Sequence, residues 1–278
     1  HTLVHPEITR IQEAYVRKVI DTVNHLDNVL YEIGNEHFED SYEWQEHMVR
    51  FIHQYEKTLP AQHPVGITSG GGGDDSVTNA QLSGSSADWI APRERNEENA
   101  PYCDNPPPPD GRQIVLSDTD HLWGIGGNVA WVWKSFCRGL NIAFMDPYEP
   151  LHGMQATQWG RWSELHQRDH PLHEPIRLAM GYSRWFAERM DLATTEPRSD
   201  LASSGFCLAS VGSEYLVFSE TPSEVTVELP ADEGEYAVEW FDTVSNVCVD
   251  GESLTASGAT TLTPPFGHAS VLYLRGKL

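Results

Sequence analysis

The 278 residues are 39% hydrophobic and 21% charged, a composition typical of folded chains rather than of disordered or fibrous ones. The 18 basic residues against 41 acidic ones give a formal net charge of −23. This charge excludes attraction to nucleic-acid phosphates or to anionic membrane surfaces. No apolar run approaches the ~20 residues that a membrane helix needs, so we expect an acidic, globular, water-soluble protein.

Up to about residue 198 the sequence alternates between strand and helix patterns. Apolar residues at helical spacing, or a capping residue, predict helices at 7–26, 41–55, 128–139 and within 153–190. Short runs of β-forming residues predict strands at 28–34, 65–68, 88–91, 113–118 and 141–146. This alternation indicates βαβ units and a parallel sheet.

Each predicted strand ends in polar residues, which favours a (β/α)8 barrel, whose ligands bind at the carboxyl ends of the strands. No GxGxxG motif opens a helix, and Gly70–Gly73 lacks the Lys-Ser/Thr of a phosphate loop. We therefore expect no nucleotide and no other cofactor. Because a barrel takes ~250 residues and eight strands, the five strands predicted here leave three to be supplied, either by a longer chain or by a second chain or dimer partner that completes the barrel.

From residue 199 the hydrophobic period changes to two. Alternating segments predict strands at 215–218, 224–229, 235–241 and 269–274. The expected organisation is a partial catalytic barrel at 1–198 and an antiparallel β-sandwich at 199–278.

Two pairs of polar residues, three of which carry carboxyl groups, lie at the ends of predicted strands. Asn35 and Glu36 close the first strand, and Asp118 and Asp120 follow the fourth. One buried carboxylic acid can protonate a leaving-group oxygen, while a second carboxylate attacks the sugar or activates water. An amide such as that of Asn35 can bind a sugar hydroxyl. This pattern predicts glycoside hydrolysis.

The motif Ile33-Gly34-Asn35-Glu36 resembles the fourth-strand signature of retaining (β/α)8 glycoside hydrolases. The segments 117–124 and 144–148, and the block around 239–242, are similar to apiosidase-like, collagenase-type hydrolases and to the small collagen-binding type β-domain that follows their barrels. The resemblance makes the visible strands numbers four to eight. It also implies that Glu36 is the acid/base and that Asp118 is the nucleophile.

One departure from this resemblance affects the stereochemistry. Such enzymes usually carry Glu at the seventh strand, and this chain has Asp118. The shorter side chain sets the carboxylate back by about 1.5 Å, which shifts the gap from that of a retaining pair toward that of an inverting one. Retention stays the expectation from the resemblance.

The remaining candidates follow the strands or lie near them. We expect substrate contacts from Asn35, Asp120, His121, Trp123, Asp146 and Tyr148. Aromatic rings stack on sugars, so Trp89 and Trp159 are further candidates for the mouth of the barrel. Trp131 and Trp133 fall in a predicted helix and Trp240 in the sandwich, and we expect all three to be packing residues.

Two alternatives stay open: a non-catalytic carbohydrate-binding protein, and a peptidase or collagen-binding protein. The sequence has neither a metal motif nor a GxSxG elbow, which disfavours the peptidase and predicts no metal. Four scattered cysteines allow one disulfide, although four unlinked thiols are the simpler expectation. The glycan substrate favours a secreted or periplasmic enzyme, although the sequence itself shows no signal peptide.

Overall fold

The computed structural model describes residues 1–35, 37–69, 77–93, 102–122, 126–146, 171–231 and 234–277. The chain divides into two compact units, His1–Tyr102 with Pro109–Gly124, and Cys103–Pro108 with Ile125–Leu278. The boundary at residues 198 and 199 stays a prediction. Among the described residues, no helix combines the length and the apolar character needed to cross a bilayer.

The first unit contributes four strands, in the order β1-β2-β3-β4, to a parallel sheet of five described strands, β1 to β5. The strands are β1 (Tyr31–Glu32), β2 (Val65–Thr68), β3 (Trp89–Ala91) and β4 (Ile114–Asp118). The helices are α1 (Pro6–Val23), α2 (Tyr42–Glu56), α3 (Asn79–Gly84) and α4 (Thr119–Leu122). These strands and helices confirm the predicted strand–helix alternation in this unit.

The register gives the parallel sheet two different faces. Glu32 pairs with Gly66, Gly66 with Trp89, and Trp89 with Ile114, so these four positions lie on one face. The other face is buried and contains Val65, Ile67, Ile90, Val115 and Ser117. We call the first one the inner face. It includes Thr68 and Asp118, since side chains alternate along a strand.

Ser41 does not cap α2 in the way that the sequence predicts. Ser41 stands at the N-cap position, but its side chain accepts no backbone N–H of the first helical turn. Its hydroxyl donates to the carbonyl of Phe38 and accepts from the side-chain amide of Gln45. Ser41 therefore closes the preceding 3-10 turn, and the helix begins at Tyr42, as predicted to within a residue.

Among its described residues, the second unit combines two helices with antiparallel sheets. Its helices are α5 (Val129–Cys137) and α6 (His173–Ala187), and β5 is Asn141–Ala143. The sheet strands are β6 (Glu196–Pro197), β7 (Cys207–Ser210), β8 (Glu214–Ser219), β9 (Val225–Glu228), β10 (Glu235–Asp242), β11 (Val247–Asp250), β12 (Leu254–Thr255), β13 (Ala259–Leu262) and β14 (Ser270–Gly276). The larger sheet has the order β11-β10-β14-β8-β7-β6, with β12 on β10, and the smaller one pairs β9 with β13.

The larger antiparallel sheet lies between two apolar layers. On one face Tyr215, Val217, Tyr236, Trp240 and Leu272 share a core with Val225 and Val227 of β9. On the other face Leu216, Phe218, Phe241, Val271 and Tyr273 share a core with Trp133, Cys137 and Phe186 of α5 and α6. Strand alternation separates the two sets. Trp131, Trp133 and Trp240 are buried, which confirms them as packing residues.

Candidate active site

Asp118 ends β4 on the inner face of the parallel sheet and is partly buried. One of its carboxylate oxygens accepts the backbone N–H of Asp120 at 3.0 Å. Burial raises the pKa of Asp118 above its ordinary value, and the neighbouring charge of Asp120 adds to the rise. The bond from Asp120 and the charge of His121 oppose the rise. A buried carboxyl with a raised pKa at the end of a strand is a candidate for a catalytic role.

His121 lies in α4, one turn after the strand, and only 6% of the residue is exposed. Its Nε2 is 3.9 Å from Oδ2 of Asp120, while its Nδ1 is buried without a hydrogen-bond partner among the described residues. Because the ring is enclosed, its influence on Asp118 is electrostatic. Direct contact of His121 with a sugar stays a prediction.

Glu32 and Thr68 add two polar side chains to the inner face, which the sequence reasoning missed. The hydroxyl of Thr68 donates to Oε1 of Glu32 at 2.9 Å. The alternation Glu32, Gly34, Glu36 along the chain is a signal that could have identified Glu32, since residues two apart on a strand share a face.

The structure describes the residues on both sides of Glu36, the predicted acid/base. Asn35 is exposed just beyond the end of β1, while Glu36, Trp123 and Tyr148 lie outside the described residues, as does Trp159. A Cβ on Gly34 would collide with the imidazole of His37, so glycine allows the chain to turn back at this strand end.

Asp146 belongs to the second unit, and Arg177 of α6 holds both of its oxygens. The guanidinium donates to the two carboxylate oxygens at 2.6 and 2.8 Å. A bidentate pair of this kind fixes the carboxylate and satisfies it. Substrate binding by Asp146 stays a prediction, and such binding would compete with Arg177.

Trp89 does not lie where the sequence pattern predicts it. The sequence pattern predicts it at the mouth of the barrel, but it opens β3 at the amino end of the strand, and only 7% of it is exposed. Its indole ring occupies the space that a Cβ on Gly66 would need. Since ligands bind at the opposite end of such strands, Trp89 is a packing residue of the sheet.

Neither metals nor disulfides are found where the structure describes the chain. Within the described ranges no three His, Cys, Asp or Glu side chains come together as a metal site. All four cysteines lie in those ranges, and no disulfide joins any of them.

No protein-family model matches the sequence, and no curated protein matches it. Two of the solved structures that resemble this fold do so at 11% sequence identity. A structure named "Glycoside hydrolase" has a TM-score of 0.61 and matches 97% of this chain and 69% of its own. A glycoside hydrolase family 5 protein from Bacteroides vulgatus ATCC 8482 has a TM-score of 0.62, with 96% and 67% covered. The chain therefore shares the fold of these glycoside hydrolases.

Proposed function

We propose that this chain carries the catalytic carboxylates of a glycoside hydrolase that cleaves O-glycosidic bonds of a polysaccharide or oligosaccharide. The observation that carries the proposal is Asp118, a partly desolvated carboxyl at the carboxyl end of a parallel strand, in a fold shared with glycoside hydrolases. Catalytic groups of parallel α/β barrels occur at this end of the strands.

In the proposed mechanism, Glu36 protonates the glycosidic oxygen while a carboxylate oxygen of Asp118 attacks the anomeric carbon. The C–O bond to the leaving group breaks with its electron pair on the departing oxygen, which takes the proton of Glu36. Glu36 then removes a proton from water as the water oxygen displaces Asp118, so the carboxylate is regenerated. A desolvated carboxylate favours the positive charge that develops at the anomeric carbon.

Asp118 is favoured over Asp120 as the nucleophile by its surroundings. The pKa of Asp118 is raised by burial, whereas the carboxylate of Asp120 is 32% exposed and lies on the short helix α4. The N–H of Asp120 holds one oxygen of Asp118, which orients the carboxylate. We therefore assign Asp120 and His121 to positioning, and Asn35 to a sugar hydroxyl.

The finer proposal is a retaining enzyme of the apiosidase-like type, whose strands here are numbers four to eight of a (β/α)8 barrel. It rests on the motif Gly34-Asn35-Glu36 and on the strand count from Glu36 to Asp118. The antiparallel sheets of the second unit correspond to the accessory domain of that type.

The test uses Glu36→Gln, Asp118→Asn and, as the matched control, Asp120→Asn on a panel of aryl and alkyl glycosides. Asp118→Asn should lower kcat/KM by about 10⁴-fold or more on every substrate, because in this mechanism the carboxylate of Asp118 forms the glycosyl-enzyme. Glu36→Gln should lose as much on alkyl glycosides but far less on 2,4-dinitrophenyl glycosides, whose leaving group needs no proton.

Asp120→Asn should keep activity within about tenfold, since it removes a neighbour and not a reacting group. Equal losses from Asp118→Asn and Asp120→Asn would contradict the assignment of the nucleophile. A first-formed product of inverted anomeric configuration, read by proton NMR, would replace retention with inversion.

A further inference from the structure

The larger antiparallel sheet of the second unit has two different outer strands. β6 lies at one end of the strand order and has two residues, one of which is Pro197. Shortness and proline both protect an edge strand from pairing with another chain. β11 lies at the other end and has four exposed residues, with Val247 52% and Val249 40% exposed. Its sequence contains no proline or lysine, so this edge lacks the protection that β6 has.

The backbone of β11 has hydrogen-bonding groups that face away from the sheet. Just past the strand, the N–H of Gly251 donates to the carbonyl of Val238 of β10 at 2.9 Å. Hydrogen-bonded pairs alternate along antiparallel strands, so the register places the peptide groups of Val249 toward β10 and those of Cys248 and Asp250 toward the open side. Among the described strands, β11 pairs with β10 alone. The N–H and C=O groups of Cys248 and Asp250 are therefore available to a further strand.

The turn that leads into β11 holds the strand in place. The carboxylate of Asp242 accepts the N–H of Val244 at 2.8 Å and the hydroxyl of Ser245 at 2.7 Å, and Nε2 of His268 also bonds to it. Burial favours a higher pKa for Asp242, but these bonds outweigh it and lower the pKa to about 2. Asp242 therefore stays charged and keeps these bonds at neutral pH. A strand that is already ordered loses little conformational entropy when it pairs.

The open edge of β11 is complementary to a second copy of itself. Two antiparallel copies related by a two-fold axis at Val249 place each Cys248 opposite the other copy's Asp250, so the outward N–H and C=O groups of both residues exchange hydrogen bonds. The two Val249 side chains meet at the axis, and each Asp250 carboxylate lies beside an uncharged thiol. An axis at Asp250 would instead place two carboxylates directly opposite each other, which is repulsive. Backbone and charge therefore favour the axis at Val249.

We propose that β11 is the contact of a homodimer, in which a second copy of the chain adds its β11 antiparallel to the first about a two-fold axis at Val249. The pairing extends the larger sheet across both copies and covers Val247 and Val249. Four residues span only about 14 Å, so the interface is small and the association weak. The net charge of −23 on each copy weakens it further at low salt. The contact lies in the second unit and does not rest on the proposed function.

Cysteine cross-linking tests the register of the two strands. In a Cys248→Ser background, Val249→Cys places two thiols opposite each other with Cα atoms about 4.5 Å apart, within the range of a disulfide. The matched control Val247→Cys is at a more exposed position but lies about 14 Å along the strand from its counterpart in the second copy. With the thiol oxidant diamide, Val249→Cys should form disulfide-linked dimers at least about tenfold faster than Val247→Cys on non-reducing gels. Equal rates would overturn the proposal.

Sedimentation equilibrium tests the association itself. In about 500 mM NaCl, which screens the net charge, the 278-residue chain should shift from monomer toward dimer between about 1 and 200 µM. Val249→Lys brings two ammonium groups together at the axis and should lower the association constant at least about tenfold. The matched control Val211→Lys, at a 51% exposed position in the turn before β8, should leave it unchanged.

Two results would contradict the homodimer. One is a monomer at every concentration, and the other is equal association of wild type and Val249→Lys. Neither measurement depends on glycosidase activity, so failure of this proposal is distinguishable from failure of the proposed function.

Discussion

At the scale of single residues, the burial that suits Asp118 to catalysis also lowers the stability of the folded protein at neutral pH. Burial raises the pKa of its carboxyl, so the folded state disfavours the charged form. Stability from this group is therefore full at pH values below the ordinary 3.8 and is lost as the pH rises through the raised value. At neutral pH the protein retains a carboxylate that weakens the fold, as catalytic groups often do.

We predict that Asp118→Asn raises the melting temperature by about 2 °C at pH 7 while it removes activity. Asn keeps an oxygen that can accept the N–H of Asp120 but carries no charge. Scanning calorimetry at pH 7 and pH 3.5 measures the difference, which should shrink at the lower pH because wild-type Asp118 is then protonated. A variant less stable than wild type at pH 7 would contradict this account.

From the sequence, residues of the candidate site could be predicted only where they lie at the ends of strands. Asp118 was found because it follows an apolar run at the right chain position. Glu32 and Thr68 were not, because their proximity depends on the pairing of β1 with β2, which a single sequence does not give. Trp89 could have been recognised as a packing residue, since it lies near the amino end of the predicted strand 88–91 and ligands of parallel sheets bind at the carboxyl end.

At the scale of elements, a buried ion pair joins the ends of α1 and α2 to the start of β2. Nδ1 of His63 is 2.8 Å from Oε1 of Glu56, and its Nε2 is 2.7 Å from the carbonyl oxygen of Leu26. Both ring nitrogens face acceptors, so the doubly protonated imidazole can donate a hydrogen bond from each. Asn24 and Tyr31 also donate to Glu56, and burial with this carboxylate raises the pKa of Tyr31 to about 12.

We predict that the free energy of unfolding falls as the pH rises from 6 to 9. The bond to Glu56 raises the pKa of His63 above its ordinary 6.5. The stabilisation is therefore full below 6.5 and is lost as the pH rises through the raised pKa. Urea unfolding at each pH gives the measurement. His63→Gln should remove the pH dependence, whereas His25→Gln is the control and should leave it.

The positions of elements could largely be predicted, and their ends and pairing could not. Helices α1, α2 and α5 and strands β2, β4 and β10 lie within a few residues of expectation, because each has a strong apolar period. Strand β11, with the sequence Val247-Cys248-Val249-Asp250, is not among the predicted strands; it is short and its four residues are all exposed. Its pairing with β10 decides its structure.

At the scale of the whole molecule, the net charge of −23 should limit stability through self-repulsion. We predict that the melting temperature rises as NaCl increases from about 20 mM to 500 mM, since the Debye length falls several-fold over this range. Sucrose of equal osmolality is the uncharged control for general solvent effects. A melting temperature that falls with salt would mean that surface ion pairs, such as Arg184 with Glu188, outweigh the repulsion.

The packing on both faces of the larger antiparallel sheet limits which part of the chain could be transferred to another protein as a unit. β9 covers one face of this sheet, and helices α5 and α6 cover the other. Residues 199–278 are therefore not an independent folding unit. A gene fusion that transplanted only these strands would leave Leu216, Phe218 and Phe241 open to water. Exchange between proteins would have to carry α5 and α6 along with the strands, so residues 199–278 and these two helices should have evolved together.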